Sequence, residues 1–210
     1  MPFSITEMSK ESTLWQTRLG ARQIPSSPFN VWTVAIVFVV AVLYASFTRT
    51  GTPNLAQRTR ELAELGFNFT IGILGFLIAG FTVFATITKE ELFRSMATAP
   101  KQGTKLSTLK YNLFAFMRVF FDYLCFASIC LAIKILAPID GPIDEFFTLV
   151  QAEESKAILA RTGYVGMVTL LVYVLIILKS FVMNIYKFVI TTIQFSFVNR
   201  PPTEEELTEA

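Results

Sequence analysis

Arg118 and Asp122, four residues apart inside an otherwise apolar run, are the sharpest chemical feature of this sequence. At that spacing the two side chains share one face of a helix, and Cys125 continues the same face. A charge within a membrane span is costly and usually faces a bundle interior, a cavity or a partner. Two readings follow. The pair neutralises itself and locks helix packing, or it lines a path for an ion or polar substrate. A second apolar run carries Lys179 and then Asn184. If the two runs cross a bilayer in opposite directions, Lys179 lies at about the depth of Arg118 and Asp122. Grouped, Arg118, Asp122, Lys179 and Asn184 hold two bases and one acid, a net cationic cluster able to attract an anion or a lipid headgroup. The competing reading has Lys179 snorkelling to the nearer interface.

The missing chemistry is equally informative. The chain contains no histidine, which removes histidine zinc sites, Ser-His and Cys-His nucleophiles and histidine pH switches. Cys125 and Cys130 are five apart in an apolar run, so they fit no CxxC redox or zinc pattern and read as small buried hydrophobes. No catalytic residue, metal or cofactor is expected. The glycine-bearing stretch GFNFTIGILG lacks the GK[ST] ending of a phosphate cradle. Lys89, Arg94, Lys101, Lys105 and Lys110 form the most basic short loop; loop charge asymmetry across a membrane explains them, and nucleic acid is not an expected partner.

The elements that must position these residues are apolar helices. The 210-residue chain is 53% hydrophobic and only 16% charged, with 21 Phe and a net charge of +2. A soluble domain carries about 25% charge. The expected class is an all-α integral membrane protein. Residues 1–30 form a polar N-terminal segment, read either as a loose tail or as a surface helix with Leu14, Trp15 and Leu19 on its apolar side and Ser4 with Glu7 as a capping box. A four-helix transmembrane domain covers 31–198, with spans near 31–48, 66–88, 111–137 and 164–186, and 199–210 is an acidic tail. The connector after Gly51-Thr52-Pro53 is a strong helix former, with Arg60 and Glu64 placed to pair at i,i+4, and is expected to run unbroken into the second span. Thr88 with Glu91 is expected to cap a short amphipathic helix laying Leu92, Phe93 and Met96 on the membrane surface. Pro142 to Leu159 reads as one acidic surface helix. Residues 164–198 would span about 52 Å as one helix, against a hydrocarbon core of about 30 Å. The fourth helix should therefore leave the membrane, where Ser180, Asn184, Lys187, Thr191 and Gln194 make it amphipathic. The Lys/Arg bias favours both termini in the cytoplasm, which puts that extension in the cytoplasm too.

The second span carries a different signature. Asn68, Gly72, Gly75, Ala79, Thr82 and Thr86 recur at steps of four and three, all small or polar, while Phe67, Phe69, Phe76, Phe81 and Phe84 occupy other faces. Small residues let transmembrane backbones approach closely. The stripe serves packing within one chain, or contact between chains, or the lining of a pore where copies meet.

In size and four-span architecture, though in no residue motif, the chain resembles the membrane subunit of the Kiwa anti-phage system. That resemblance implies a bacterial plasma-membrane defence component. The functional expectation is a non-enzymatic, self-associating polytopic protein: a pore-forming or membrane-sensing subunit with a cytosolic protein partner that docks on Lys187, Thr191 and Gln194. The alternative is a transporter or accessory subunit with an anion site near Arg118 and Lys179. A lipid-modifying enzyme ranks last.

Overall fold

The computed structural model describes residues 16, 19–21, 24, 27–48, 51–87, 90–101, 104, 106–138, 141–150 and 153–198. Among them are six helices: α1 (Pro28–Phe47), α2 (Thr52–Ile87), α3 (Glu90–Thr98), α4 (Thr108–Leu136), α5 (Pro142–Val150) and α6 (Glu153–Val198). Four of these, α1, α2, α4 and α6, are long and apolar enough to cross a membrane, and they mark a membrane-embedded protein.

Local chemistry sets the helix starts. Pro28 occupies the first turn of α1, where its missing N–H costs nothing. The Ser107 hydroxyl caps α4 by accepting from the Lys110 backbone N–H at 3.3 Å. The connector does run unbroken into the second span, making α2 a 36-residue helix.

A core of three helices holds the fold. Ala63 and Leu77 of α2, Val119, Tyr123, Phe126 and Cys130 of α4, and Met167, Val174 and Phe181 of α6 pack together. Here α4 runs antiparallel to both neighbours. Phe116 stacks on Phe81 at 4.9 Å and on Phe181 at 5.7 Å between ring centroids, while the Tyr123 hydroxyl, fully buried, donates to the Val174 carbonyl at 2.7 Å. That last bond ties α4 to a backbone oxygen already used within α6. Helix α1 stands outside this core and packs chiefly on α6. Its two buried residues, Ala41 and Ala45, join Leu55 and Val165 in a separate cluster. Toward its other end, Asn30 Nδ2 donates to Ser180 Oγ at 2.8 Å. Most other apolar residues of α1, such as Ile36, Val39 and Leu43, are exposed, as suits a lipid-facing helix.

Several local expectations are corrected. Arg60 does not pair with Glu64. Its guanidinium donates to the Ala137 and Pro138 carbonyls, because the end of α4 presents unpaired carbonyls and the negative end of a helix dipole. Glu64 instead receives Lys134, 3.7 Å away, and the Lys134 ammonium also lies over the Phe67 ring. Leu92 and Met96 of α3 are not laid on a membrane surface; they are buried against Leu109, with Phe188 beside them. Residues 142–159 do not form one helix: α5 ends at Val150 and Glu153 begins α6, the two joined by a Lys156–Asp144 ion pair at 2.6 Å. Cys130 is buried as expected, but Cys125 is exposed. Ser4, Glu7, Leu14, Trp15, Thr88 and the acidic tail lie outside the described residues.

Thr70 is the one fully buried side chain whose hydroxyl has no partner among the described residues. Thr59, Thr82 and Thr86 on the same helix each donate to the carbonyl four residues back. Thr70→Val removes the unpaired hydroxyl at nearly constant shape, and is expected to stabilise by about 1 kcal/mol. In a chain of this length that raises the thermal midpoint in detergent by about 2–4 °C; an unchanged or lower midpoint would show that the hydroxyl is satisfied.

Candidate anion-binding cavity

Because α1 leans on α6 rather than joining the core, a space remains between the first half of α1, the first half of α4 and the middle of α6. Its volume is about 1020 Å³. Residues paired across the helices show which of its side chains share a level. Phe116 meets Phe181 and Tyr123 meets Val174, so Arg118 stands level with Lys179. Asn30 meets Ser180, which adds both to the same layer. Arg118, Lys179, Asn30 and Ser180 all line the cavity, with Asn184 and Lys187 one and two turns further along α6.

Arg118 is half-buried and donates through Nη1 to the Ile24 carbonyl at 3.0 Å. Ile24 itself packs with the buried Ala21, Leu106 and Phe114 and lines this end of the cavity. The Lys179 ammonium sits 4.1 Å from the centroid of the Phe29 ring, a cation–π contact that draws the side chain across from α6 to α1. Among the described residues no carboxylate pairs with Lys179 or Lys187, and none lines the cavity. Asp122 is buried behind this surface, where its Oδ2 accepts from the Tyr173 hydroxyl at 3.1 Å. Tyr173 lines the cavity; Asp122 does not.

Of the expected polar cluster, then, Arg118, Lys179 and Asn184 face one space and Asp122 backs it through Tyr173. Lys179 and Lys187 are the lining cations with no carboxylate paired to them among the described residues. Sequence reasoning missed Asn30 and Ser180 as a joint between α1 and α6, and gave Lys187 only to a docking face. The signal for Asn30 was present: a lone amide at the start of an apolar span must find a partner or water.

The stripe of α2 lies away from the cavity, and of the docking face only Lys187 reaches it. Asn68, Gly72, Gly75, Ala79, Thr82 and Thr86 are all exposed in the single chain, and a Cβ added at Gly72 or Gly75 would meet nothing within 4 Å. Among the described residues, the stripe faces outward from the packed helices. Lys187, Thr191 and Gln194 are exposed along the far part of α6, with the Thr191 hydroxyl donating to the Lys187 carbonyl. No family model, curated protein or solved structure matches the chain.

Proposed function

We propose that this protein is a non-enzymatic membrane-sensing subunit that recognises an anionic group in the cavity between α1, α4 and α6. One observation carries the reading: Arg118, Lys179 and Lys187 line a space of about 1020 Å³ that no acidic side chain lines among the described residues. Lys179 and Lys187 have no carboxylate partner among the described residues, and an anionic ligand supplies their counter-charge. The orientation we favour puts both chain ends and the basic α3 loop in the cytoplasm, in a bacterial plasma membrane. The basic end of the cavity then meets the leaflet whose surface potential is negative. Lys187, Thr191 and Gln194 continue along α6 on that side and offer a contact for a cytosolic protein.

The test is thermal unfolding of purified, delipidated protein in non-ionic detergent against three anionic probes: sulfate, inorganic phosphate and short-chain phosphatidylglycerol. At least one should stabilise saturably, by about 2.7 kcal/mol at a hundred times its Kd. The double variant Lys179→Gln, Lys187→Gln should lose most of that response. If none of the three probes shifts the midpoint, the cavity is not an anion site and the reading fails. Anion flux into liposomes that depended on Lys179 would move the protein from sensor to transporter, the second use of the same cavity.

A second copy as partner rests on a separate observation, the uniformly exposed stripe of α2. Gly75→Leu with Ala79→Leu is expected to leave the single chain folded and to lower the mass of the detergent-extracted complex in native mass spectrometry. An unchanged oligomer mass would remove the stripe from the contact.

A further inference from the structure

We infer that the occupant of the cavity is an anionic phospholipid, its phosphate in the layer of Arg118 and Lys179 and an acyl chain lying between α1 and α6. This inference rests on the anion-binding reading above and names its ligand. The cavity is built in two zones. The basic zone holds Arg118, Lys179 and Lys187, with the Asn30 and Asn184 amides beside them. The deeper zone is lined by Val34, Ala35 and Phe38 of α1, Val119 of α4, and Ile176 and Ile177 of α6.

The deep zone does contain two hydroxyls, but both are occupied. Tyr173 donates to Asp122 at 3.1 Å and Thr169 donates to the Val165 carbonyl at 2.7 Å. Water or a polar solute entering there finds little to bond, whereas hydrocarbon loses nothing. On α1, Val31, Val34, Ala35 and Phe38 recur at i, i+3, i+4 and i+7, a continuous apolar face that no helix among the described residues covers, with Ala35 the low point in it.

Dimensions agree. From Lys179 to Thr169 is ten residues of α6, about 15 Å, half of a hydrocarbon core of about 30 Å. A chain anchored by its phosphate at Lys179 therefore reaches the bottom of the cavity within one leaflet. A volume of about 1020 Å³ is large for inorganic phosphate and lies at the top of the ~300–1,000 Å³ range of ligand pockets. Phosphate alone satisfies the basic zone and leaves the apolar zone empty. A phospholipid fills both.

The experiment uses the full chain, delipidated in non-ionic detergent, and reads the thermal midpoint against inorganic phosphate, short-chain phosphatidylglycerol and phosphatidylcholine of the same chain length. Phosphatidylglycerol should stabilise saturably, phosphatidylcholine much less, and phosphate weakly or not at all. Two variants separate head from tail. Lys179→Gln with Lys187→Gln should weaken phosphatidylglycerol roughly 25-fold, about fivefold for each lysine. Ala35→Trp, at an exposed position, should fill the tail groove and weaken phosphatidylglycerol while leaving the lipid-free midpoint and any phosphate response as they were. If phosphate stabilises as well as phosphatidylglycerol, or Ala35→Trp has no effect on the lipid, the acyl chain is not in the cavity; the lipid inference falls and the anion site stands. If phosphatidylcholine matches phosphatidylglycerol, or no probe acts, the anion site falls with it.

Discussion

Leucine at position 66 is expected to prevent α2 and α4 from closing on one another. Gly66 sits where the two helices cross. A Cβ there would lie 2.9 Å and 3.1 Å from two carbons of the Phe126 ring and 3.2 Å from Cys130 Sγ. Both neighbours are fixed, since Phe126 is 2% exposed and Cys130 is fully buried. Alanine already forces them to give by a few tenths of an ångström, and leucine adds three more carbons to a site with no room for one. Overpacking of a filled core costs about 1–3 kcal/mol and occasionally more; with two buried neighbours opposing it, the upper end applies. Gly66→Leu should lose most folded protein on extraction, or melt far below the wild type in detergent. The controls lie on the same helix. Gly72→Leu and Gly75→Leu point into open space and should hold monomer stability within about 0.5 kcal/mol. Equal stability of Gly66→Leu and Gly75→Leu would show that the crossing point is elsewhere.

Phe126→Ala should be comparably damaging for the opposite reason. In a bilayer the transfer of apolar surface from water does little to hold helix on helix, because lipid is as apolar as leucine. What the Phe126 ring supplies is contact, and a void forfeits it. Removing a buried phenylalanine costs about 3–5 kcal/mol in soluble cores, and about 3 kcal/mol is expected here. The two positions should also be coupled. Gly66→Ala should cost stability in the wild type, yet be neutral or favourable once Phe126 is alanine, since the added methyl then enters the space the ring left. A double-mutant cycle on thermal midpoints should give an interaction energy of about 1 kcal/mol or more. A cycle that closes to zero would mean that the ring does not rest on Gly66.

The spans were legible in the sequence because apolar runs bounded by charge and proline have few other solutions. So was the fused connector and second span: NLAQRTRELAEL contains nothing that would stop a helix before Gly66. Depth was legible too, since counting along opposed spans placed Arg118 and Lys179 at one level. Azimuth was not. Whether Asp122 shares a surface with Lys179 depends on how α4 and α6 are rotated about their axes, and that is fixed by Tyr123, Phe126 and Val174 packing in the core. No local pattern encodes it. The same holds for glycine: Gly66 and Gly72 read alike in a line of text, but one is a crossing point and the other faces open space. Arg60 marks a third limit. Its i,i+4 partner was visible, while the carbonyls that hold it belong to residues 137 and 138, brought near only by the fold.

The continuity of α6 has a mechanical consequence. Forty-six helical residues without a break form a rod of about 69 Å, more than twice the hydrocarbon thickness of about 30 Å. Such a rod does not absorb a disturbance locally. A change in its inclination of about 5° swings one tip by about 6 Å relative to the other over that length. The cavity lies between the two tips, and α1 is fastened to the rod at Ser180, within the lining, and at Val165, beyond its end. Whatever wedges α1 away from α4 therefore acts on a rod whose far end carries Thr191 and Gln194.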